Sequence, residues 1–195
     1  MPKKVVVVGS GNAALSAGIA ALEKGADVVI YEKADKKMAG GNTKYTAGAM
    51  RFSYENGDQL IDLLKHPDDK RIKDTDFGTY TNEKFSLDLL NFNDGRPLSP
   101  EQNILVSKSF ETIQWLASHN VKFEPIYSRQ SFLKNGKYIF WGGLTLASEN
   151  EGVGLFDQEL AAFLSLGGEI HYNSPVTKLI FENHKVIGLL VDNKS

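Results

Sequence analysis

The N-terminal sequence alternates between apolar segments and short breaks of glycine or polar residues. Residues 5–8 are four consecutive valines, a run typical of a parallel strand that is buried on both faces. A glycine turn at residues 9–11 follows, and residues 12–24 predict a helix that ends at Gly25. Residues 27–31 predict a second strand. This order of strand, turn, helix and strand predicts a βαβ unit with a parallel sheet.

The glycine turn and an acidic residue give this unit a candidate function. Gly9 and Gly11 form a tight turn that places no Cβ between the backbone and a bound pyrophosphate. The N–H groups at the start of the helix would face the phosphates. Glu32 follows about twenty residues later, where a carboxylate can accept both hydroxyls of an adenosine ribose and disfavours a 2′-phosphate. Ala14 stands at the third glycine position, which the pattern tolerates, and an ordinary βαβ unit with a surface glutamate is the alternative.

A second glycine-rich motif, MAGGNTKYTAGAMRF, occupies residues 38–52. Gly40 and Gly41 permit close approach to a ligand, and Asn42 and Thr43 supply amide and hydroxyl groups for hydrogen bonds. A nicotinamide-binding fold usually continues here with another helix and strand, whereas this loop returns to the site soon after the acidic residue. A plain glycine-rich connection is the alternative interpretation.

The remaining pattern predicts helices in the middle of the chain and a hairpin at its end. Helices are expected over residues 58–65 and 82–91, and a third, with Ser99 as N-cap and Gln102 completing a capping box, runs to about His119. The apolar residues of this third helix are expected to fall largely on one side: Ile104, Leu105, Phe110, Ile113, Trp115 and Leu116. A Gly-Val-Gly turn at residues 152–154 is expected before a helix over residues 156–166. A strand over residues 169–172 and a hairpin turning at residues 183–184 follow.

Composition narrows the classes of partner. The 195 residues are 42% hydrophobic and 24% charged, as in an ordinary globular protein, and the net charge of −2 gives no support for nucleic acid as a partner. The sequence contains no cysteine, so disulfides, thiolate catalysis and sulfur-ligated metals are excluded. The four histidines show no metal-binding spacing, so no metal is expected. Residues 5–22 carry no charge, but their early polar breaks argue against a signal peptide or membrane insertion, and a cytoplasmic protein is expected.

Together, the segments GSGNAAL, YEK and GGNTKYTAGAMRF resemble the FAD-binding domain of the fumarate reductase/succinate dehydrogenase flavoprotein superfamily, most closely its tricarballylate dehydrogenase-like branch. The resemblance implies an α/β, Rossmann-like domain formed by residues 1–55 and 150–195, with a parallel sheet and a β-hairpin. Residues 56–149 would be a helical region that begins an α+β capping or substrate domain. It further implies FAD as the cofactor and an N-terminal fragment of a longer enzyme or a natural truncation.

The resemblance also assigns contacts to the cofactor. Gly9, Gly11 and Ala13 would lie on the pyrophosphate, Glu32 on the ribose, and the backbone of Val176 on adenine. The second motif would follow the pyrophosphate, the ribityl chain and the isoalloxazine. The complete set of expected cofactor-binding residues is Gly9, Ser10, Gly11, Asn12, Ala13, Ala14, Glu32, Lys33, Gly40, Gly41, Asn42, Thr43, Ala47, Gly48 and Val176.

The implied reaction is hydride transfer between flavin N5 and a carboxylate-bearing substrate such as a di- or tricarboxylic acid, with an unidentified electron donor or acceptor. No catalytic residue is assigned. In the family most of the arginine and histidine residues that move protons lie further along the chain than residue 195, and the histidine expected before the Gly-Val-Gly turn is absent. Arg51 could bind a carboxylate, although a fold-supporting arginine is favoured. A non-catalytic dinucleotide-binding module, or a related flavoprotein acting on ketosteroids or amino acids, are the alternatives.

Overall fold

The computed structural model describes residues 2–192, which divide into two compact units. The first unit contains the chain up to Thr46 and from Gly152 onward, and the second contains Ala47–Glu151. The strands are β1 (Lys4–Val8), β2 (Asp27–Tyr31), β3 (Ala49–Met50), β4 (Thr75–Asp76), β5 (Phe123–Pro125), β6 (Ser131–Lys134), β7 (Lys137–Phe140), β8 (Leu146–Ser148), β9 (Glu169–His171), β10 (Val176–Glu182) and β11 (Lys185–Val191). The helices are α1 (Asn12–Glu23), α2 (Asp58–Ile61), α3 (Asn82–Phe92), α4 (Pro100–Ser118), α5 (Tyr127–Gln130) and α6 (Glu151–Ser165), with short 3-10 helices at Gly41–Tyr45 and Ile72–Asp74.

The first unit is built on a parallel sheet with the strand order β1-β2-β9. Val6 pairs with Val29, and Ile30 pairs with Ile170. α1 connects β1 to β2 and contributes Leu15 and Ile19, both 0% exposed, to the core. Parallel neighbours require such a crossover, because a tight turn can join only antiparallel strands. The mixed α/β architecture with a parallel sheet confirms the predicted fold class.

The close packing of α1 on α6 depends on a missing side chain. A Cβ on Gly18 of α1 would come within 2.8 Å of Cε2 of Phe163, a fully buried residue of α6. At that distance the aromatic ring would have to move, so glycine is required for the two helices to approach. The antiparallel hairpin of β10 and β11 follows β9 and turns at Asn183 and His184 with φ angles of 48° and 62°, as the sequence predicts.

The second unit contains two small sheets, ordered β3-β8-β5 and β4-β7-β6, together with the helical part of the chain. The capping box of α4 is confirmed: the Gln102 N–H donates to Ser99 Oγ at 3.2 Å, and the Ser99 N–H donates to Gln102 Oε1 at 3.0 Å. The core of this unit is rich in aromatic side chains, with Phe52, Tyr54, Tyr80 and Phe123 among the buried residues.

Several expectations about individual elements are wrong. Val6 and Val8 are 41% and 55% exposed, because they lie on the one face of β1 that is exposed among residues 2–192, whereas Val5 and Val7 on the other face are half-buried. Residues 58–65 form only the short helix α2, and Leu64 instead bridges to Phe123. The buried face of α4 consists of Val106, Ser109, Ile113 and Leu116, a spacing that follows the helical period. Ile104 and Leu105 fall outside that face and are exposed, and Trp115 is half-buried.

Candidate cofactor site

The glycine turn of the first unit has the backbone geometry that a dinucleotide-binding turn requires. Gly9 has a φ of +91°, in the left-handed region that favours glycine, and its N–H donates to the Tyr31 carbonyl at 2.8 Å. Gly11 then caps α1 with an extended backbone (φ −75°, ψ 177°). The turn therefore follows the end of β1 and is hydrogen-bonded to the end of β2 through the Gly9 N–H. It places the N-terminus of α1 next to the carboxyl ends of both strands.

The second glycine motif lies directly against this turn. A Cβ on Gly11 would stand 3.2 Å from Thr43 Oγ1 and 3.5 Å from the Gly40 carbonyl oxygen. The Asn12 N–H, the first of α1, donates to Thr43 Oγ1 at 2.9 Å. Gly40 itself has a φ of +105° and precedes the 3-10 helix Gly41–Tyr45, which carries Asn42 and Thr43. The structure thus brings together the two motifs that the sequence separates by about thirty residues.

Ser10 and Glu32 form a buried hydrogen-bonded pair between these motifs. Ser10 Oγ donates to Glu32 Oε2 at 2.6 Å and accepts the Gly40 N–H at 3.0 Å. The other carboxylate oxygen, Oε1, accepts the Ala34 N–H at 2.8 Å. Glu32 is 5% exposed and Ser10 1% exposed, so the carboxylate is held in one orientation. Since each carboxylate oxygen has two lone pairs, both oxygens can still accept a hydroxyl from a ligand.

A cavity of about 340 Å³ opens beside this pair. Its walls come from the ends of β1 and β2, from the glycine turn, from Gly41 of the second motif, and from Pro175 and the start of β10. The lining residues are Val8, Gly9, Ser10, Gly11, Tyr31, Glu32, Lys33, Gly41, Pro175 and Val176. Ligands of open α/β sheets bind in this place, outside the carboxyl ends of parallel strands.

The cavity gathers seven of the residues that the sequence predicts: Gly9, Ser10, Gly11, Glu32, Lys33, Gly41 and Val176. Three further lining residues were missed, namely Val8, Tyr31 and Pro175. Val8 and Tyr31 are the last residues of neighbouring parallel strands, a signal that could have identified them. Asn12, Ala13 and Ala14 form the first turn of α1.

Ala47 and Gly48 belong to the second unit, and their surroundings there are local. Gly48 has a φ of +65°, and a Cβ on it would overlap Ser148 Oγ and come within 2.9 Å of Cα of Glu151. Its N-terminal neighbour Ala47 precedes β3, whose residues pair with β8. The glycine at position 48 is therefore required by packing within the second unit.

Arg51 also has partners within the second unit. Its Nη1 donates to Tyr80 Oη at 2.8 Å and lies 3.5 Å from Asp88 Oδ2. Tyr80 Oη in turn donates to Asp88 at 2.6 Å. Burial, reinforced by the hydrogen bond to Asp88, raises the pKa of Tyr80 to about 12, so this phenol stays neutral. These contacts give Arg51 a fold-supporting role.

One buried charge-bearing group near the site was missed by the sequence patterns. Glu159 of α6 is 0% exposed and accepts a hydrogen bond from Ser16 Oγ of α1 at 2.8 Å. Burial raises the pKa of Glu159 to about 7, and the hydrogen bond from Ser16 opposes this rise. The helical spacing of the sequence could have identified Glu159, because it places this acidic residue on the apolar face of α6 together with Phe156 and Phe163.

In residues 2–192, no three His, Asp or Glu side chains are grouped so that they could hold a metal ion. Within the same residues, no helix combines the length and the apolar character that crossing a bilayer requires.

The sequence matches the family model of the FAD binding domain over residues 4–195. A probable fumarate reductase of Shewanella frigidimarina is 25% identical over 192 residues, which are 98% of this chain and 29% of the relative. Digoxin reductase of Eggerthella lenta is 54% identical over 46 residues, 24% of this chain and 8% of the relative. The open conformation of a flavocytochrome c3 fumarate reductase has the same fold, with a TM-score of 0.67 at 23% identity over 99% of this chain and 30% of that chain. The chain therefore matches less than a third of the length of each of these three proteins.

The residues of the first unit fit the adenosine diphosphate part of FAD. The N–H groups of Gly9 and Asn12 already donate to Tyr31 and Thr43, so the start of α1 offers a pyrophosphate the positive end of the helix dipole, and the turn at Gly11 offers it space without a Cβ. The oriented carboxylate of Glu32 offers acceptors for ribose hydroxyls on the cavity wall. The space beside Gly11 is narrow, and a Cβ at this position would fill it. Glycine at this position of the family motif keeps that space open for the pyrophosphate.

Proposed function

The chain belongs to the FAD binding domain family, and on this premise we propose that it forms the cofactor-binding part of a flavin-dependent oxidoreductase. Its cofactor is FAD. The observation that carries the proposal is the cavity of the first unit, where the glycine turn, the start of α1 and the buried Glu32 carboxylate line one space.

Each part of this cavity has a proposed task. The partial positive charge at the start of α1 stabilises the negatively charged pyrophosphate, and Gly9 and Gly11 let it approach the backbone. Glu32, held by Ser10 and Ala34, accepts the ribose hydroxyls. A 2′-phosphate would meet this buried carboxylate and be repelled, so the site selects a cofactor with an unmodified ribose. Val176, at the other wall, is proposed to contact adenine through its backbone.

The remaining predicted residues are proposed to follow the cofactor away from adenosine. Asn42 and Thr43 would contact the pyrophosphate and ribityl chain, since the 3-10 helix that carries them lies against the glycine turn. Ala47 and Gly48 would follow toward the isoalloxazine, as the family resemblance implies. Bound FAD supplies the chemistry, by accepting or donating a hydride at N5 of the isoalloxazine.

For the whole protein we propose hydride transfer to or from a carbon next to a carboxylate, on a di- or tricarboxylic acid. The fumarate reductases among the relatives and the motif GGNTKYTAGAMRF support this substrate class. An electron donor or acceptor must complete the reaction and is not identified. A cytoplasmic location is also part of the proposal, because a sequence without cysteine fits a reducing compartment.

One observation favours a second candidate substrate. Identity with digoxin reductase is 54% over 46 residues, and identity with the probable fumarate reductase is 25% over 192 residues. Digoxin is therefore the alternative substrate that we propose beside a small carboxylate.

Assays of the full-length protein separate these substrates. Reduced viologen dye serves as electron donor, and fumarate, a tricarboxylic acid with a C=C bond and digoxin are each offered as acceptors. Turnover of the carboxylates alone supports the first substrate class, and turnover of digoxin alone supports the second. A protein that binds FAD but oxidises the dye with none of them would contradict both substrate proposals and leave the cofactor-binding function in place.

A further inference from the structure

A carboxyl group outside the cofactor cavity lies buried against the first turn of α1. With its amide oriented to donate, Asn12 Nδ2 lies 2.8 Å from Glu159 Oε1 and 3.1 Å from Oε2. Ser16 Oγ, one turn further along α1, donates to the same Oε1 at 2.8 Å. Glu159 comes from α6 and is separated from Ser16 by 143 positions in the chain. The contact is therefore a product of tertiary packing.

Asn12 is thereby held from two sides. Its side chain donates to Glu159, and its backbone N–H donates to Thr43 Oγ1 at 2.9 Å. Asn12 is also the first residue of α1, directly after the cap Gly11. A group that orients Asn12 therefore orients the turn of helix whose N–H groups face the pyrophosphate.

The charge of Glu159 matters because of where it lies. An ionised carboxylate within one helical turn of the start of α1 would repel the two negative charges of a pyrophosphate bound there. A protonated carboxyl group can still accept from Ser16 Oγ, and its O–H can donate to Oδ1 of Asn12 with the amide turned the other way, so both contacts persist without that repulsion. Burial raises the pKa of Glu159 to about 7, so the neutral form is available in the neutral range.

We propose that Glu159 is a positioning residue of the FAD site that orients the first turn of α1 through Asn12 and Ser16 and is neutral when FAD is bound. This inference rests on the proposed FAD-binding function. It follows by linkage that FAD binding favours the protonated carboxyl group and that FAD affinity falls as pH rises through the range in which Glu159 ionises. Each pKa unit by which bound FAD raises the pKa of Glu159 corresponds to about a tenfold change in the dissociation constant.

Other charged groups lie on the elements that pack around Glu159. Lys44 of the 3-10 helix lies over the ring of Phe156, 4.9 Å from its centroid and one turn before Glu159 on α6. The remaining charged side chains on α1 and α6 are Glu23, Glu151 and Asp157. Among the described residues none of these groups contributes to the pKa shift of Glu159: burial raises the pKa and the Ser16 hydrogen bond opposes the rise, as does the Asn12 amide when it is oriented to donate.

The test is the FAD dissociation constant of the full-length protein between about pH 6 and about pH 8.5, measured by flavin fluorescence. The proposal predicts a rise of about five- to tenfold in the wild type across this range. Glu159→Gln, which keeps an amide in place of the carboxyl group, should bind FAD with a constant that changes by less than about twofold. Asp157→Asn removes a carboxylate from the same helix and should keep the wild-type profile.

Ser16→Ala provides a second variant in case Glu159→Gln does not fold. Because the hydrogen bond from Ser16 lowers the pKa of Glu159, its loss should move the inflection of the affinity profile to higher pH. A flat wild-type profile, or the same profile in wild type and Glu159→Gln, would overturn this proposal alone. Absence of FAD binding at every pH would overturn the proposed function and this proposal with it.

Discussion

Replacing Glu32 with glutamine tests the geometry of the cavity with almost no change in shape. In the wild type the two carboxylate oxygens accept from Ser10 Oγ at 2.6 Å and from the Ala34 N–H at 2.8 Å. A glutamine side chain has one acceptor oxygen and one NH₂ group, which can only donate. Either Ser10 or Ala34 would then face a donor, and one charge-assisted hydrogen bond would be lost at a position that is 5% exposed.

The magnitude follows from that single loss. A hydrogen bond to a charged group contributes about 1.5–3 kcal/mol, and a buried donor left unpaired adds to the cost. We therefore expect Glu32→Gln to lower the free energy of unfolding of the protein without FAD by about 2 kcal/mol. Weaker acceptors for the ribose hydroxyls should weaken FAD binding by a similar free energy, which is about a 30-fold rise in the dissociation constant.

Urea unfolding of the apoprotein and a flavin fluorescence titration measure the two effects separately. Glu182→Gln is the matched control, because Glu182 is exposed on the hairpin of the same unit and its substitution should change stability by less than about 0.5 kcal/mol. If Glu32→Gln matched this control in both measurements, the carboxylate would have neither the structural partners nor the ribose-binding task described above.

Three further substitutions follow from the same geometry. Gly11→Ala should fold, because the φ of Gly11 is −75°, which alanine adopts without strain. Its methyl group would narrow the space beside Thr43, so the FAD affinity measured by titration should fall by at least about tenfold. An unchanged affinity would contradict the assignment of the pyrophosphate to this turn. Gly152→Ala should lower the free energy of unfolding by about 3 kcal/mol, because its Cβ would overlap the Thr43 carbonyl oxygen. Val153 is 40% exposed on the same helix, so the control Val153→Ala should lower the free energy of unfolding by only about 0.5 kcal/mol. Equal losses for the two variants in urea unfolding would refute the clash. The pKa of Glu159, raised from 4.5 to about 7, means that the folded state holds this proton more tightly than the unfolded state. The stabilisation from this proton, on the order of 3 kcal/mol, is therefore complete below about pH 4.5 and lost by about pH 7. Glu159→Gln should remove that part of the pH dependence of the free energy of unfolding. An unchanged pH dependence in the variant would contradict the burial of an ionisable group at this position.

The sequence was sufficient for the features that depend on neighbouring residues. The bounds of β1, α1 and β2 follow from an apolar run, a glycine turn and a second apolar run. The sequence also predicted that Gly9 and Glu32 contact one cofactor, and both line the same cavity, because parallel strands bring their carboxyl ends to one edge of the sheet. The capping box of α4 was equally local and was confirmed.

Features that depend on distant packing could not be predicted in the same way. Residues 152–154 were expected to form a turn because two glycines usually break a helix, but they lie inside α6. Gly152 is needed there because its Cβ would strike the backbone at Thr43, a contact between residues more than one hundred positions apart. The hydrogen bonds of Glu159 with α1 arise from the same packing, so the sequence could indicate an acidic residue on an apolar face and could not name its partners.

Hydrogen exchange of the full-length protein with and without FAD tests the central claim most directly. FAD should slow the exchange of backbone amides in residues 9–15, 32–34 and 40–43, because these segments form the glycine turn, the ribose-binding acid and the second motif. The hairpin turn at residues 183–184 serves as an internal reference and should not change. Protection confined to other segments, in a protein that does bind FAD, would contradict the assignment of this cavity as the FAD site.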